Sequence, residues 1–294
     1  MSTPDFIVGD EAQKKRLTEI QSKKPADITT DDLKFLANRI RQNAVEMVFR
    51  ANSGHPGGPL GLADIYAYLY FKVMKLEGEH RDRLLISNGH VCAVRYSAMA
   101  IRGQFPEGEL ATFRRVGSRL QGHPSTKFFP IVENSSGSLG QGLANASGLA
   151  LGLRLQKNPG RVFVGMSDGE CQEGMTWEAA MAAAHNKLTN VHPFLDFNNI
   201  QIDGKVEKVM GVEPLDKKFA SFGWQVRVAD GHDFGAIAEA FDWSLKAEGA
   251  PKMILFKTVL GKGVSFMENN PDWHGSPPNQ KDRDAAISEL AKAG

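Results

Sequence analysis

The sequence predicts an α/β protein, a single doubly wound parallel sheet with helices on both faces. Two observations predict it. Short apolar runs alternate with stretches of helical period, the order expected of a parallel sheet covered on both sides. No Pro- or Ser-rich linker, internal repeat or low-complexity segment divides the 294 residues, a length that suits one large domain. The expected organisation is therefore an N-terminal extension, 1–28, and one domain, 29–294.

Residues 1–28 are polar and irregular, with one charge cluster at Lys14-Lys15-Arg16. They read as an arm, solvated or packed on a partner. Structure proper starts at Thr29-Thr30-Asp31-Asp32, where Thr30 suits an N-cap and the acids suit a first turn. Leu33, Leu36, Ile40, Met47 and Val48 recur at helical spacing. That helix stops near Arg50, before Asn52-Ser53-Gly54. A second helix is expected over 62–74, then a short strand at 83–86 and a helix over 91–102. LGQGLANASGLALGLRLQ (139–156) reads as a small-residue helix and RVFVGM (161–166) as a buried strand. An Ala-rich helix over 175–188 leads to a strand at 191–197. Strands at 224–228 and 253–259 flank a helix over 234–247, and a fraying helix over 282–294 closes the chain.

Composition excludes several classes. Lys and Arg total 35 against 34 Asp and Glu, so no basic field points to nucleic acid or an anionic membrane. Two cysteines, Cys92 and Cys171, supply neither a disulfide framework nor a four-cysteine zinc site. No apolar run approaches the roughly 18 residues of a membrane span. The start, MSTPDFIVGDEAQKKR, lacks the apolar core of a signal peptide. The chain reads as soluble and cytoplasmic.

Ligands of open α/β sheets bind at the carboxyl ends of the strands. Ser167-Asp168-Gly169-Glu170 follows one expected strand and Asn198-Asn199-Ile200 follows the next. Asp168 and Asn198 are one βαβ unit apart, so both side chains can emerge at one sheet edge. A carboxylate and an amide oxygen suit Mg²⁺ or Ca²⁺, and Mg²⁺ commonly fills its remaining positions with phosphate oxygens. Taken singly, Asp-Gly and Asn-Asn are ordinary turn chemistry. At this joint spacing they read as a metal that bridges protein to a diphosphate.

Four histidines, His55, His90, His123 and His274, sit in turns rich in Gly or Pro. Such turns let the backbone approach a ligand, and imidazoles donate to phosphate and hydroxyl oxygens and pass protons. They lack zinc-ligand spacing. His80, His185, His192 and His232 have no such context and read as structural. Ser135-Ser136-Gly137-Ser138-Leu139-Gly140-Gln141-Gly142 is a glycine-rich loop entering a helix, a setting for cofactor contact through backbone N–H groups. Its glycines are misplaced for a dinucleotide fingerprint. The small residues that follow equally suit helix packing at a subunit interface.

Together these pieces resemble the thiamine-diphosphate-binding half of transketolase. The motifs are SGHPGGPLGLADIYAYLY, DRLLISNGH, GSRLQGHP, SSGSLGQGL, SDGECQEG with DFNNIQIDG, and GKGVSFMENNPDWHG. The resemblance implies thiamine diphosphate and Mg²⁺, with Ca²⁺ a possible substitute, and metal ligands Asp168, Asn198 and the carbonyl of Ile200. It puts His90, Gly169 and His274 at the diphosphate, and main-chain groups of Gly137 and Leu139 at the aminopyrimidine. It puts His55, His123 and His274 at the donor sugar, and Glu173 in a carboxylate network between paired sites. Ser167 stands where the family has a glycine, and Ser138 where it often has proline.

Full-length transketolases continue with a pyrimidine-binding domain and a C-terminal domain, and this chain stops before both. The glutamate that hydrogen-bonds the cofactor's pyrimidine ring comes from the former. The resemblance therefore implies the N-terminal subunit of a split transketolase. A separate C-terminal subunit would complete it, in an α2β2 heterotetramer. Alone, the chain is expected to form a homodimer of little or no activity. The reaction implied is two-carbon ketol transfer from a ketose phosphate to an aldose phosphate, as in the pentose phosphate pathway. Other thiamine diphosphate enzymes share the metal motif, but His55, His123 and His274 favour a polyhydroxylated sugar over pyruvate. Alternatives are a split transketolase for a branched or sulfonated sugar phosphate, and a non-catalytic scaffold subunit.

Overall fold

In chain order, α1 (Glu11–Ser22), α2 (Thr30–Ala51) and α3 (Gly57–Tyr68) precede β1 (Arg83–Ile86), and α4 (Cys92–Ile101) and α5 (Gln141–Leu155) follow it. Next come β2 (Val162–Ser167), α6 (Gly174–His185), β3 (Val191–Phe197), the hairpin of β4 (Ile200–Gln201) and β5 (Gly204–Lys205), and α7 (Val206–Val209). The order ends with α8 (Leu215–Ser221), β6 (Gln225–Asp230), α9 (Phe234–Ser244), β7 (Lys252–Lys257) and α10 (Gln280–Ala293). The structure is a computed structural model that describes residues 6, 9–246 and 248–293. The expected extension at 1–5, 7 and 8, and the expected helix ends at 247 and 294, lie outside the described residues.

The chain divides into two compact units. One comprises Met1–Val73, His90–Gly122 and Val259–Gly294, the other Met74–Gly89 and His123–Thr258.

The second unit holds the sheet. Its order is β1-β2-β3-β7-β6, and every neighbouring pair is parallel. Parallel strands need crossovers, and α6 and α9 supply them between β2 and β3 and between β6 and β7. The interior strand β2 is buried along its whole length, which fits its apolar run. Side chains alternate between the faces with period two. Val162, Val164 and Met166 face a core with Leu143, Ala146 and Ala150 of α5 and Ala180 of α6. Phe163, Phe194 and Phe256 meet Phe241 of α9, with ring centroids 6.3, 6.1 and 5.6 Å away. Helices thus cover both faces, as expected.

The first unit is helical. α2 starts one residue earlier than its expected cap. Thr29, not Thr30, accepts from Asp32 N at 3.1 Å, and Asp32 Oδ2 accepts from Thr29 N at 2.9 Å. This capping box satisfies two otherwise unpaired N–H groups. The helix ends at Asn52, in left-handed conformation at φ 46°.

Residues 11–22, expected to be irregular, are helical. Asp10 caps α1 by accepting from Gln13 N at 2.9 Å, and Leu17 and Ile20, three residues apart, bury one face. Arg16 lies over the Phe35 ring at 4.5 Å, so the polar composition hides apolar stems and one buried stripe. α3 starts at Gly57 rather than near 62, and a π-helical turn, Leu69–Val73, extends it.

Candidate active site

In the first unit, three glycines of α3 set the positions of the histidines. A Cβ at Gly57 would lie 2.6 Å from Leu260 Cγ and 2.8 Å from Trp273 O. A Cβ at Gly58 would lie 2.7 Å from Val91 Cγ1, and one at Gly61 would lie 2.8 Å from Val259 O. Only hydrogen at these positions lets the segments around 90–91, 259–261 and 273–274 close on the start of α3. Gly261 N completes the contact by donating to Gly57 O at 2.9 Å. His55 precedes that helix start, so three rings converge. His55 and His90 are 5.2 Å apart between centroids, His55 and His274 5.7 Å, and His90 and His274 5.2 Å. Residues distant in sequence thus form one triangle of imidazoles.

In the second unit, Asp168 and Asn198 follow the ends of the neighbouring strands β2 and β3. Ser167 pairs with Asp196 in register, and Asp168 N donates to Asp196 O at 3.1 Å. Asp168 is 1% exposed. Its Oδ1 accepts from Gly169 N at 2.7 Å and its Oδ2 from Asn199 N at 2.5 Å. Asn199 has φ 59°, a left-handed conformation that asparagine tolerates, and there the chain turns back over Asp168. Asn198 Oδ1 accepts from Ile200 N at 2.8 Å, and its Nδ2 donates to Asp196 Oδ2 at 3.0 Å. Thr258 Oγ1 donates to the other Asp196 oxygen.

Negative charge accumulates here. Burial, with Asp196 nearby, pushes the Asp168 carboxyl up to about 7. Burial pushes Asp196 up to about 6, against a hydrogen bond from Thr258, the nearby His232 and a hydrogen bond from Asn198. Among the described residues, no lysine or arginine forms an ion pair with either carboxylate. Burying the Asp168 carboxylate without a cationic partner is costly, and a divalent cation would remove that cost. No group of three His, Cys, Asp or Glu side chains with metal-binding geometry occurs among the described residues. The side-chain donors at this edge are instead a carboxylate and an amide oxygen, hard oxygens that fit Mg²⁺ better than zinc.

The remaining expected residues fall into the same two settings. Gly169 follows Asp168, and a Cβ there would make only ordinary contacts, the nearest at 3.5 Å from Gln201. Gly137 has φ 140° and lies beside the half-buried His123, whose ring would be 3.7 Å from an added Cβ. Leu139 leads into Gly140, the N-cap of α5. Glu173 is exposed at the start of α6, and its Cβ would lie 2.6 Å from a Cβ on Gly140. The structure thus groups His55, His90 and His274 in the first unit. In the second it groups Asp168, Gly169, Asn198 and Ile200, and sets Gly137 beside His123 and Gly140 beside Glu173.

Two residues escaped sequence reasoning. Asp196 lies inside the apolar strand VHPFLDF, and that charge was the available signal. Glu170 is fully buried and accepts from Ser87 Oγ, from Gly140 N at 2.8 Å and from Ser167 N at 3.2 Å. Burial pushes its carboxyl up to about 7 against those bonds. Of the histidines read as structural, His192 is buried on β3 with its ring 5.3 Å from Phe163.

Fold and site define a parallel α/β protein with a hard-oxygen donor set at the carboxyl edge of its sheet and a histidine cluster in its helical unit. Comparison with known proteins identifies the class more closely. Residues 33–291 match the family described as transketolase, thiamine diphosphate binding domain. The chain is 37% identical over 268 residues to the 6-deoxy-6-sulfo-D-fructose transketolase subunit SqwG of Clostridium sp. (strain MSTE9), covering 90% of this chain and 98% of that protein. It is 35% identical over 274 residues to an apulose-4-phosphate transketolase subunit of Actinobacillus succinogenes, covering 90% and 98%. Among solved structures, the transketolase of Campylobacter jejuni aligns with a TM-score of 0.83 at 33% identity, over 90% of this chain and 43% of that one. The chain belongs to the transketolase family and carries its thiamine diphosphate binding domain. Its likeness to proteins named as subunits supports an N-terminal subunit of a split transketolase. No helix among the described residues is long and apolar enough to cross a membrane.

Proposed function

We propose that this chain, with a separate C-terminal subunit, transfers a two-carbon ketol unit from a ketose phosphate to an aldose phosphate. The observation that carries this reading is the buried Asp168 beside Asn198 at the ends of two adjacent parallel strands. Thiamine diphosphate, when bound, supplies the covalent chemistry of ketol transfer. Asp168, Asn198 Oδ1 and Ile200 O would hold Mg²⁺, or Ca²⁺ in its place, and Gly169 leaves room for the diphosphate. Gly137 and Leu139 would present main-chain groups to the aminopyrimidine.

In the helical unit, His90 and His274 donate to phosphate oxygens, and His55 and His274 bind sugar hydroxyls and move protons near neutral pH. In the sheet unit, His123 binds sugar beside Gly137, and Glu173 joins carboxylates of a paired site. Residues 29–294 work as one cofactor domain, with 1–28 as its extension; the family match over 33–291 supports this. The pyrimidine-side glutamate comes from the partner subunit. Two copies of each chain form an α2β2 assembly, and the chain alone forms a homodimer of little activity. A cytoplasmic location and a role in pentose phosphate metabolism complete the reading, and two buried free thiols, Cys92 and Cys171, support a reducing compartment.

A second reading concerns the sugar. Relatives at 37% and 35% identity carry the names of transketolases for a sulfonated and a branched sugar. This chain then acts on a sugar of that kind. A donor screen of the reconstituted pair tests both, with xylulose 5-phosphate, 6-deoxy-6-sulfofructose, apulose 4-phosphate and pyruvate. Ketol transfer from a ketose supports the reading and names the sugar. Decarboxylation of pyruvate as the main reaction overturns it.

A further inference from the structure

We propose that Glu170 is a positioning residue for thiamine diphosphate, holding the turn at 137–140 at a fixed separation from the turn at 167–168. This rests on the cofactor reading above. The carboxylate receives three donors from three separate parts of the sheet unit: Ser87 at the end of β1, Gly140 at the start of α5, and Ser167 at the end of β2.

The start of α5 explains why such a link is needed. Its N-cap is Gly140, at φ 83°, and no cap side chain bonds its first turn. First-turn N–H groups need acceptors from elsewhere. Glu170 Oε1 takes Gly140 N at 2.8 Å, and Ser87 Oγ takes Gly142 N at 2.9 Å while donating to that same Glu170 oxygen. The approach is close enough that a Cβ at Gly142 would lie 2.3 Å from Ser87 Cβ. The other oxygen, Oε2, ties this assembly to Ser167, one residue before Asp168. Glu170 therefore spans the two elements assigned to opposite ends of the cofactor.

Packing alone does not account for a carboxylate here. Glu170 is fully buried, and among the described residues no cationic side chain forms an ion pair with it. A buried, uncompensated carboxylate is a poor means of stabilising a core. It also adds negative charge two residues from Asp168, where a diphosphate is to be held. Its distinctive property is the rigid geometry of three hydrogen bonds. The diphosphate end does not depend on it: Asp168 keeps Gly169 N and Asn199 N as donors and its own bond to Asp196 O.

The test uses the chain co-expressed with its C-terminal subunit, titrated by calorimetry with thiamine diphosphate and, separately, with inorganic pyrophosphate, both with Mg²⁺. Glu170→Ala is expected to raise the Kd for thiamine diphosphate about tenfold or more, a loss of about 1.4 kcal/mol or more. The Kd for pyrophosphate should stay within about threefold, since Asp168 keeps its own bonds. Glu170→Gln keeps an acceptor for Gly140 N and Ser87 Oγ but turns a donor amide toward Ser167 N, so it should show the same selective loss at a size between wild type and Glu170→Ala. Should Glu170→Ala not fold, Ser87→Ala is expected to show the same selective loss at smaller size. Equal weakening of both probes assigns Glu170 a merely structural role and overturns the proposal, as does unchanged thiamine diphosphate binding. A wild-type complex that binds pyrophosphate but no thiamine diphosphate overturns the cofactor reading itself, and the Glu170 role with it.

Discussion

Asp196 accepts a hydrogen bond from the Asn198 side-chain amide at 3.0 Å, and that bond decides which way the amide faces. With Nδ2 held, Oδ1 points to the side where Ile200 N meets it at 2.8 Å. Partners that orient a ligand commonly control metal affinity by about 10–100-fold. Asp196→Ala should therefore weaken Mg²⁺ by about that factor while Asp168 remains in place. The Mg²⁺ dependence of thiamine diphosphate binding measures it.

The glycines of α3 give a second prediction. Gly57→Ala places a methyl 2.6 Å from Leu260 and 2.8 Å from the Trp273 carbonyl. The backbone oxygen cannot yield cheaply, so the substitution should cost about 1–3 kcal/mol, as overpacking does. It should also displace His274 from His55 and His90. Urea unfolding measures the first effect, and the histidine NMR resonances report the second.

His192 gives a prediction for acid stability. Burial, aided by the nearby Arg161, lowers its pKa from 6.5 to about 4. The unfolded chain therefore binds the proton more readily than the folded one. The contribution of the neutral ring is full above pH 6.5 and is lost as pH falls through 4. A shift of that size corresponds to about 3 kcal/mol between those limits. In His192→Leu the fall in unfolding free energy between pH 7.5 and pH 4.5 should shrink by about 2 kcal/mol. Denaturant melts at the two pH values check it.

Much of this arrangement was legible in the sequence. RVFVGM and VHPFLDF, with one helix between them, gave β2 and β3 as neighbours, and so placed Asp168 beside Asn198 at one edge. Three of the four turn histidines, His55, His90 and His274, marked the loops that meet around α3. What the sequence hid depends on tertiary context. Glycine has poor helix propensity, so Gly57 and Gly58 did not read as a helix start, although close packing at those positions requires them. In α1 the stripe is only Leu17 and Ile20, supported by the Arg16 stem over Phe35. Glu170 acts on Ser87, 83 residues away, and on Gly140, 30 residues away. No local pattern reports such a contact.

The most direct test of the account is a calorimetric titration of thiamine diphosphate into the chain paired with its C-terminal subunit, with and without Mg²⁺, for wild type and Asp168→Ala. The account predicts Mg²⁺-dependent binding by wild type and a Kd raised at least about 100-fold, near 2.7 kcal/mol, in the variant. Binding by Asp168→Ala as tight and as Mg²⁺-dependent as that of wild type would contradict it.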